Sequence, residues 1–570
     1  MFGLSLITRK TNKIKWQTTT QSSNRQAFFK ENFGWLCVRM SFLSILPFLS
    51  LPAEAGSFRV QCPEKTSLHP IPGPSAPYTK PVPSDFVFTP DSVVSPAPTK
   101  TLSSYDNGGA VKCQQVSGGD GFATMADGTQ TYLFSFGPLS GLADIYAGLP
   151  GTQLASTFNQ YDPGLGIGEP NKTTTFNGAV GLSPDPITGT NTGHIDARTV
   201  MDVGVLNGSH PAPTIAIDED DELFLTLTNV GMIMRPDLFE QHTIHFHGYP
   251  NASSFYDGVP DASAAINIGG SFTYYYLAPD AGTYFWHCHI TPPEHLQMGM
   301  EGNLYVRPRQ NRVRNGNSLF ASLKNQQIDP RLKCSGDILC TTPVPPTDNG
   351  FTQGPTKGVK NTRGYTTYAY NDGDGSTAYD VEYPIQIMGF DPNFHFVGMT
   401  FNPESFTDIK DKYFLLNGRS YPDTINPDAM TTQSTDGTDH ASQPVRTIIN
   451  IPEGGKALLR LAMLGVSEYQ TLASLGIPMT VIANNARLLR DLDGNNLYYT
   501  TNSITMGGGE SMDVILDASD TGVYTAGQKF YLYTPQLDHL SNDAENFGGL
   551  MTEVNICNKV NPITKACTLI

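Results

Sequence analysis

Two short segments hold half of the chain's twelve histidines. One reads Gln241-His242-Thr243-Ile244-His245-Phe246-His247-Gly248. The other runs Trp286-His287-Cys288-His289-Ile290-Thr291-Pro292-Pro293-Glu294-His295-Leu296-Gln297-Met298-Gly299-Met300. On a β-strand, successive side chains point to opposite faces. His245 and His247 then share one face and His242 takes the other. Likewise His287 and His289 share a face, and Cys288 lies opposite. On neighbouring strands these residues sort into two groups. The first is His242 and Cys288, joined by His295 and Met300 from the following loop. A thiolate, two imidazoles and a weak axial thioether are the ligand set of a type 1 (blue) copper electron-transfer site. The second group is His245, His247, His287 and His289, four imidazoles that suit copper held at a domain boundary. A lone histidine is usually structural, and a lone cysteine often a small core residue. Eight candidate ligands in two compact clusters that obey strand alternation are a different case.

The elements that must position these residues read as strands. Thr214 to Val230 holds two apolar-alternating segments around an acidic turn. Ser271–Leu277 and Gly282–Trp286 are aromatic strands, and Gly302–Arg307 closes the set. Together they predict a β-sandwich over 121–310. Further strands at 413–416, 446–451, 457–461, 478–483, 511–517 and 530–533 predict a second sandwich over 376–556. Between them, 311–375 reads as a Gly/Pro/Thr-rich linker. Residues 56–120, rich in Pro, Ser and Gly, read as an irregular N-terminal arm, and 557–570 as a C-terminal tail with a cysteine pair. The expected fold class is therefore all-β, in two Greek-key sandwiches. Gly507-Gly508-Gly509 lacks the lysine and helix context of a phosphate-binding loop.

The whole chain has 570 residues, 55 of them Gly and 42 Pro, which fits two domains built of short strands and turns. Its formal charge is −17, and residues 1–55 carry seven Lys/Arg against two Asp/Glu, so the remainder is more acidic still. An acidic surface repels phosphate backbones, which argues against nucleic acid as a partner. Scattered basic residues up to Arg39, the short apolar run Phe42–Leu51 and Ala53-Glu54-Ala55 form the pattern of a secretory signal. The run is too short to span a bilayer, so no membrane span is expected once residues 1–55 are removed. Cysteine usage agrees with export, periplasmic or secreted. Cys62 and Cys113, Cys334 and Cys340, and Cys557 and Cys567 could supply three disulfides, with the connectivity left open. Cys288 is the odd one out.

These segments resemble the multicopper oxidases, whose copper signature is His-x-x-His-x-His-Gly together with His-Cys-His followed by His and, five residues later, Met. Tyr256-Asp257-Gly258-Val259-Pro260, Gly270-Ser271-Phe272-Thr273-Tyr274 and Ala281-Gly282-Thr283-Tyr284 look like the family's approach to its copper strand. Phe414 to Tyr421 and Pro478 to Ile482 look like its other cupredoxin domains. The resemblance covers about 200–310 strongly and 376–556 loosely. It implies two cupredoxin domains of the laccase-like kind and a copper-dependent oxidation. A small reductant, a phenol or a metal ion, gives up electrons singly at type 1 copper, and a cluster of type 2 and type 3 copper reduces dioxygen. His295 is the implied exposed ligand through which electrons arrive. His245 is implied for type 2 copper, and His247, His287 and His289 for type 3.

Two departures from the family pattern stand out. The spacing from Cys288 to His295 is two residues longer than in many members, owing to Thr291–Glu294. A family cluster also uses eight histidines, four from each of two domains, whereas this chain offers one set of four. Its C-terminal domain has only His395, His440 and His539, well separated. The missing four come from another subunit, identical or not, with a homo-oligomer expected, or fewer coppers bind, as in copper nitrite reductases. Alternatively, the chain is a non-enzymatic electron carrier or copper-binding protein. Against the nitrite reductase reading, those proteins have Asp where His245 stands and lack the second His after the copper cysteine.

Overall fold

The computed structural model describes residues 58–70, 109–247, 254–278, 280–313, 316–327, 342–354, 366–400, 405–435, 437–543, 545–561 and 563–570. The leader expected at 1–55 and the Cys334/Cys340 pair lie outside these residues.

Nine strands build the first sandwich: β1 (Val111–Thr124), β2 (Gln130–Pro138), β3 (Gln153–Leu154), β4 (Ala212–Asp218), β5 (Glu222–Gly231), β6 (His245–His247), β7 (Ser271–Leu277), β8 (Gly282–His287) and β9 (Glu301–Arg307). One sheet runs β2-β1-β5-β7, with β3 on β1; the other runs β4-β9-β8-β6. β1 lies parallel to β5, and β4 to β9, while the other pairs are antiparallel. Period-2 patterning explains the packing. Leu223, Leu225 and Leu227 of β5 are fully buried and meet Tyr284, Trp286 and Cys288 across the core.

The second sandwich stacks two sheets of seven and five strands. The larger contains Val381–Phe390, Tyr413–Leu416, Lys456–Met463, Met479–Asn484 and Glu510–Asp517. The smaller contains Ile449–Pro452, Gln470–Leu475, Ser503–Met506, Lys529–Tyr533 and Met551–Cys557. Along Lys456–Met463, Ala457, Leu459, Leu461 and Met463 enter this sandwich's own core. Arg460 and Ala462 take the other face, toward the first sandwich. There Arg307 and Arg460 share Glu382, Arg460 also approaches Asp513, and both guanidinium groups lie over the Tyr305 ring. Buried charges are tolerated when they are paired in this way.

Two boundaries differ from the sequence reading. The arm expected at 56–120 gives up its last ten residues to β1. Their polar and glycine-rich composition masks a central strand that is hydrogen-bonded on both sides and covered on both faces. Phe58–Cys62 is also anchored, by the Cys62–Cys113 disulfide and by backbone pairing to Gly193 and His194. The linker expected at 311–375 contains the helix Leu319–Gln327 and the strand Thr367–Tyr368. The acidic turn between β4 and β5 is buried rather than solvated, because Arg309 and Arg312 bind Glu219 and Asp220. Cys557 and Cys567 are bonded to each other. Among the described residues no helix is long and apolar enough to cross a membrane.

Candidate metal centre

β8 delivers Cys288 to the core beside Tyr284 and Trp286, because the three alternate with Phe285 and His287 on the opposite face. His242 precedes β6 and pairs by its backbone with Ile266. Its ring occupies space left by Gly118 of β1, where a Cβ would lie 2.8 Å from His242 Cδ2. Downstream of Cys288 the chain turns through the helix Pro292–Gln297 and folds back. Met300 N–H donates to the His295 carbonyl at 2.8 Å, and Cys288 N–H donates to the Met300 carbonyl at 3.0 Å. Met300 is therefore held beside Cys288, fully buried.

Ligand atoms of His242, Cys288 and His295 all lie within 4.8 Å of one another, and His295 Nδ1 is 3.2 Å from Cys288 Sγ. All three side chains have no solvent exposure. Cys288 is unbonded to any other cysteine, and neither ring nitrogen of His242 has a hydrogen-bond partner. Such an orphaned buried polar ring costs free energy unless something binds it. Burial opposes a thiolate at Cys288, but the charged His295 beside it overcomes burial and holds the thiol well below its usual range. Conversely, burial disfavours a charged His295, yet the thiolate and Glu240 push it up to about 10. Each partner thus favours the charged form of the other, and a sulfur ligand, two imidazoles and a neighbouring thioether fit copper.

His295 is not the exposed ligand that the family resemblance implied: its side chain is fully covered. Phe134 packs edge-on to its ring, and Glu240 Oε2 stands 3.7 Å from Nε2 on the solvent side. Glu240 is a residue that spacing did not single out. It lies two positions before His242 and becomes relevant only where the loop after Cys288 closes against it.

On the opposite face of the same strands, β6 and β8 put His245 directly across from His287, and His247 across from Phe285. Ring centroids of His245 lie 5.3 Å from His287, 5.0 Å from His289 and 6.1 Å from His247. His247 stacks on Phe285 at 4.6 Å and is exposed, whereas His287 is buried and His245 and His289 are half-buried. His245 Nδ1 is 2.6 Å from the Asp257 carbonyl, and His287 Nδ1 is 2.8 Å from the Cys288 carbonyl. Only an N–H can bond a carbonyl, so these contacts place the proton on Nδ1 and leave each Nε2 lone pair free for a metal. Burial lowers His245, His247 and His287, the last to about 3, so the rings are neutral at physiological pH. Asp257 falls within a stretch already noted for its resemblance, but its role in fixing a tautomer does not.

The second sandwich walls this cluster. Leu464–Tyr469 and Gly507–Gly509 line the cleft beside His247 and His287. None of its histidines joins the cluster. His395 lies within hydrogen-bond distance of the Tyr132 and Gln297 carbonyls, and His440 Nδ1 is 3.1 Å from Asn207 Oδ1. His539 sits between Gln470 and Glu468 and stacks on Phe414.

Family models described as multicopper oxidase match residues 189–311, which contain both clusters, and residues 404–545. Similar proteins include laccase abr2 of Aspergillus fumigatus, 34% identical over 128 residues, or 22% of this chain and 20% of that one. The multicopper oxidase MCE of Talaromyces pinophilus is 33% identical over 112 residues, 19% of this chain and 17% of its own. The L-ascorbate oxidase of Cucumis sativus is 34% identical over 113 residues, again 19% and 17%. Each match thus spans a fifth or less of the relative's length.

Proposed function

The chain belongs to the multicopper oxidase family, and from that membership and the two clusters we propose a copper-dependent oxidoreductase that takes electrons singly from a small reductant and reduces dioxygen. His242, Cys288, His295 and Met300 would hold type 1 copper, and His245, His247, His287 and His289 would hold type 2 and type 3 copper. Bound copper supplies the reversible one-electron chemistry that these side chains lack. The chain's own contribution is arrangement. Cys288 is covalently linked through one peptide bond each to His287 and His289, so the two clusters are joined by the shortest backbone path available. Asp257 and the Cys288 carbonyl orient imidazoles, and Glu240 with Phe134 keeps bulk water from His295. The reductant is a phenol or a reducing metal ion. Export, periplasmic or secreted, is supported by the two disulfides.

The single observation behind this reading is the fully buried His242, without hydrogen-bond partners, beside a buried unpaired thiol and His295. The test is copper content with visible and electron paramagnetic resonance spectra of the copper-loaded chain and of Cys288→Ser. The intense blue absorption is expected in the former and absent in the latter; unchanged colour in Cys288→Ser would sink the assignment. One copper per chain with a type 1 signal alone would instead make the protein an electron carrier.

We further propose that the active unit is a homo-oligomer in which a second copy completes the four-histidine half-set, since His395, His440 and His539 are engaged elsewhere. Sedimentation of the copper-loaded protein, run beside an oxygen-consumption assay, checks this. A monodisperse monomer that fully reduces dioxygen would refute it.

A further inference from the structure

The second sandwich holds none of the candidate ligands, yet it grips the loop that carries two of them. Gln297 lies between His295 and Met300, and its side chain is fully buried. Its amide nitrogen donates to Asp411 Oδ1 at 2.9 Å, and its amide oxygen accepts the Asp391 N–H at 3.0 Å. Its backbone carbonyl lies 2.9 Å from His395 Nε2. Both partners of the side chain, and His395, belong to the second sandwich. Resting on the copper reading above, we propose that Asp411 is a positioning residue: through Gln297 it makes the ligand-free sandwich set the geometry of the type 1 pocket.

Three observations give Asp411 this place. Its other oxygen accepts the Ser467 hydroxyl, so the same carboxylate also ties down the rim of the cleft beside His247 and His287. The strand Val381–Phe390 carries Gly389 where any Cβ would collide with the Asp411 carboxylate, so room is kept for it. Burial pushes the Asp411 carboxyl up, and the Ser467 and Gln297 hydrogen bonds pull it partly back. On the pocket side, Met300 N–H is bonded to the His295 carbonyl. Any shift of Gln297 must therefore be shared by the imidazole and the thioether. Met300 would supply the thioether that tunes the redox potential of such a site, so a small displacement of the loop would be read out there first.

The experiment uses the full chain, copper-loaded for spectra and potentials and metal-free for hydrogen exchange. Asp411→Ala is expected to keep its copper but shift the type 1 absorption, the paramagnetic resonance signal and the reduction potential. Amides of the peptide Pro292–Met300 should exchange about tenfold faster in the metal-free form. Asp411→Asn keeps an acceptor oxygen for Gln297 and should return all of these toward wild type. Ser467→Ala, which removes only the rim bond, should leave the type 1 spectrum unchanged. A purely structural contact would lower stability in Asp411→Ala without moving spectrum or potential, and that result overturns the proposal. Should Asp411→Ala fail to fold, Gln297→Leu decides the same question from the loop side, and a wild-type spectrum in that variant overturns it. If the wild-type chain shows no type 1 signal, the copper reading is what fails. The exchange rates then still decide whether Asp411 holds the loop.

Discussion

β6 and β8 present two faces, and the same few residues build opposite environments on them. Toward the core, Cys288 joins His242, His295 and Met300 in a pocket with no solvent exposure, within a cluster that also takes in Phe394 and Ala486 of the second sandwich. Toward the second sandwich, His245, His247, His287 and His289 form a more open cluster in which His247 is exposed. The first face holds the candidate type 1 set, in which Cys288 and His295 each favour the charged form of the other. On the second, burial lowers His245, His247 and His287, and carbonyl contacts aim His245 and His287 at space they do not fill themselves. Alternation along a strand places a closed pocket and an open cluster within two residues of each other. The second sandwich touches both: it grips the loop of the closed one through Gln297 and walls the open one.

The sharpest way to break this comparison is to damage one face alone. Gly118→Val drives a branched side chain into the His242 ring and Leu227, overpacking that costs about 1–3 kcal/mol. The expected result is loss of the type 1 absorption, while copper bound at the four-histidine face remains. Persistence of the blue colour would show that the pocket tolerates a displaced His242 and is less closed than described.

A smaller effect tests the open face through pH. Burial lowers His287 to about 3 in the folded chain, against about 6.5 for an unfolded histidine. Below pH 6.5 the unfolded state binds the extra proton first, so this contribution to stability is full above that pH and is lost as pH falls toward 3. At pH 5 the loss is about 2 kcal/mol for this group. Denaturant titrations of the metal-free protein between pH 7 and pH 4 should show His287→Gln with a flatter acid limb than wild type. Parallel limbs would mean that His287 is more solvated than its 5% exposure indicates.

Much of the fold was legible because period-2 patterning is a local signal. The aromatic strands Ser271–Leu277 and Gly282–His287 announce themselves in five or six residues. β1 did not, since VKCQQVSGGDGFAT has the composition of a loop. What makes it a strand is the ladder on each side and the layers above and below it. At the site, ligand-type residues could be picked out and sorted to faces because their chemistry is rare and the sorting rule is short-range. Gly118, Glu240, Asp257, Gln297 and Asp411 could not, because each is an ordinary residue type. Their importance comes from a neighbour distant in sequence: 124 positions separate Gly118 from His242, and 114 separate Gln297 from Asp411.

The sequence by itself therefore singled out the candidate metal-binding atoms and which of them share a face, since side-chain chemistry and strand alternation need no knowledge of the rest of the chain. Only the tertiary structure decided how those atoms are used. It buried His295 behind Glu240 and Phe134, protonated rings on the side facing a carbonyl, and tied the ligand loop to a sandwich that offers no ligand. Burial, hydrogen-bond partnership and charge pairing are properties of neighbourhoods, and in a sandwich of long-range strand pairings neighbours in space are seldom neighbours in sequence.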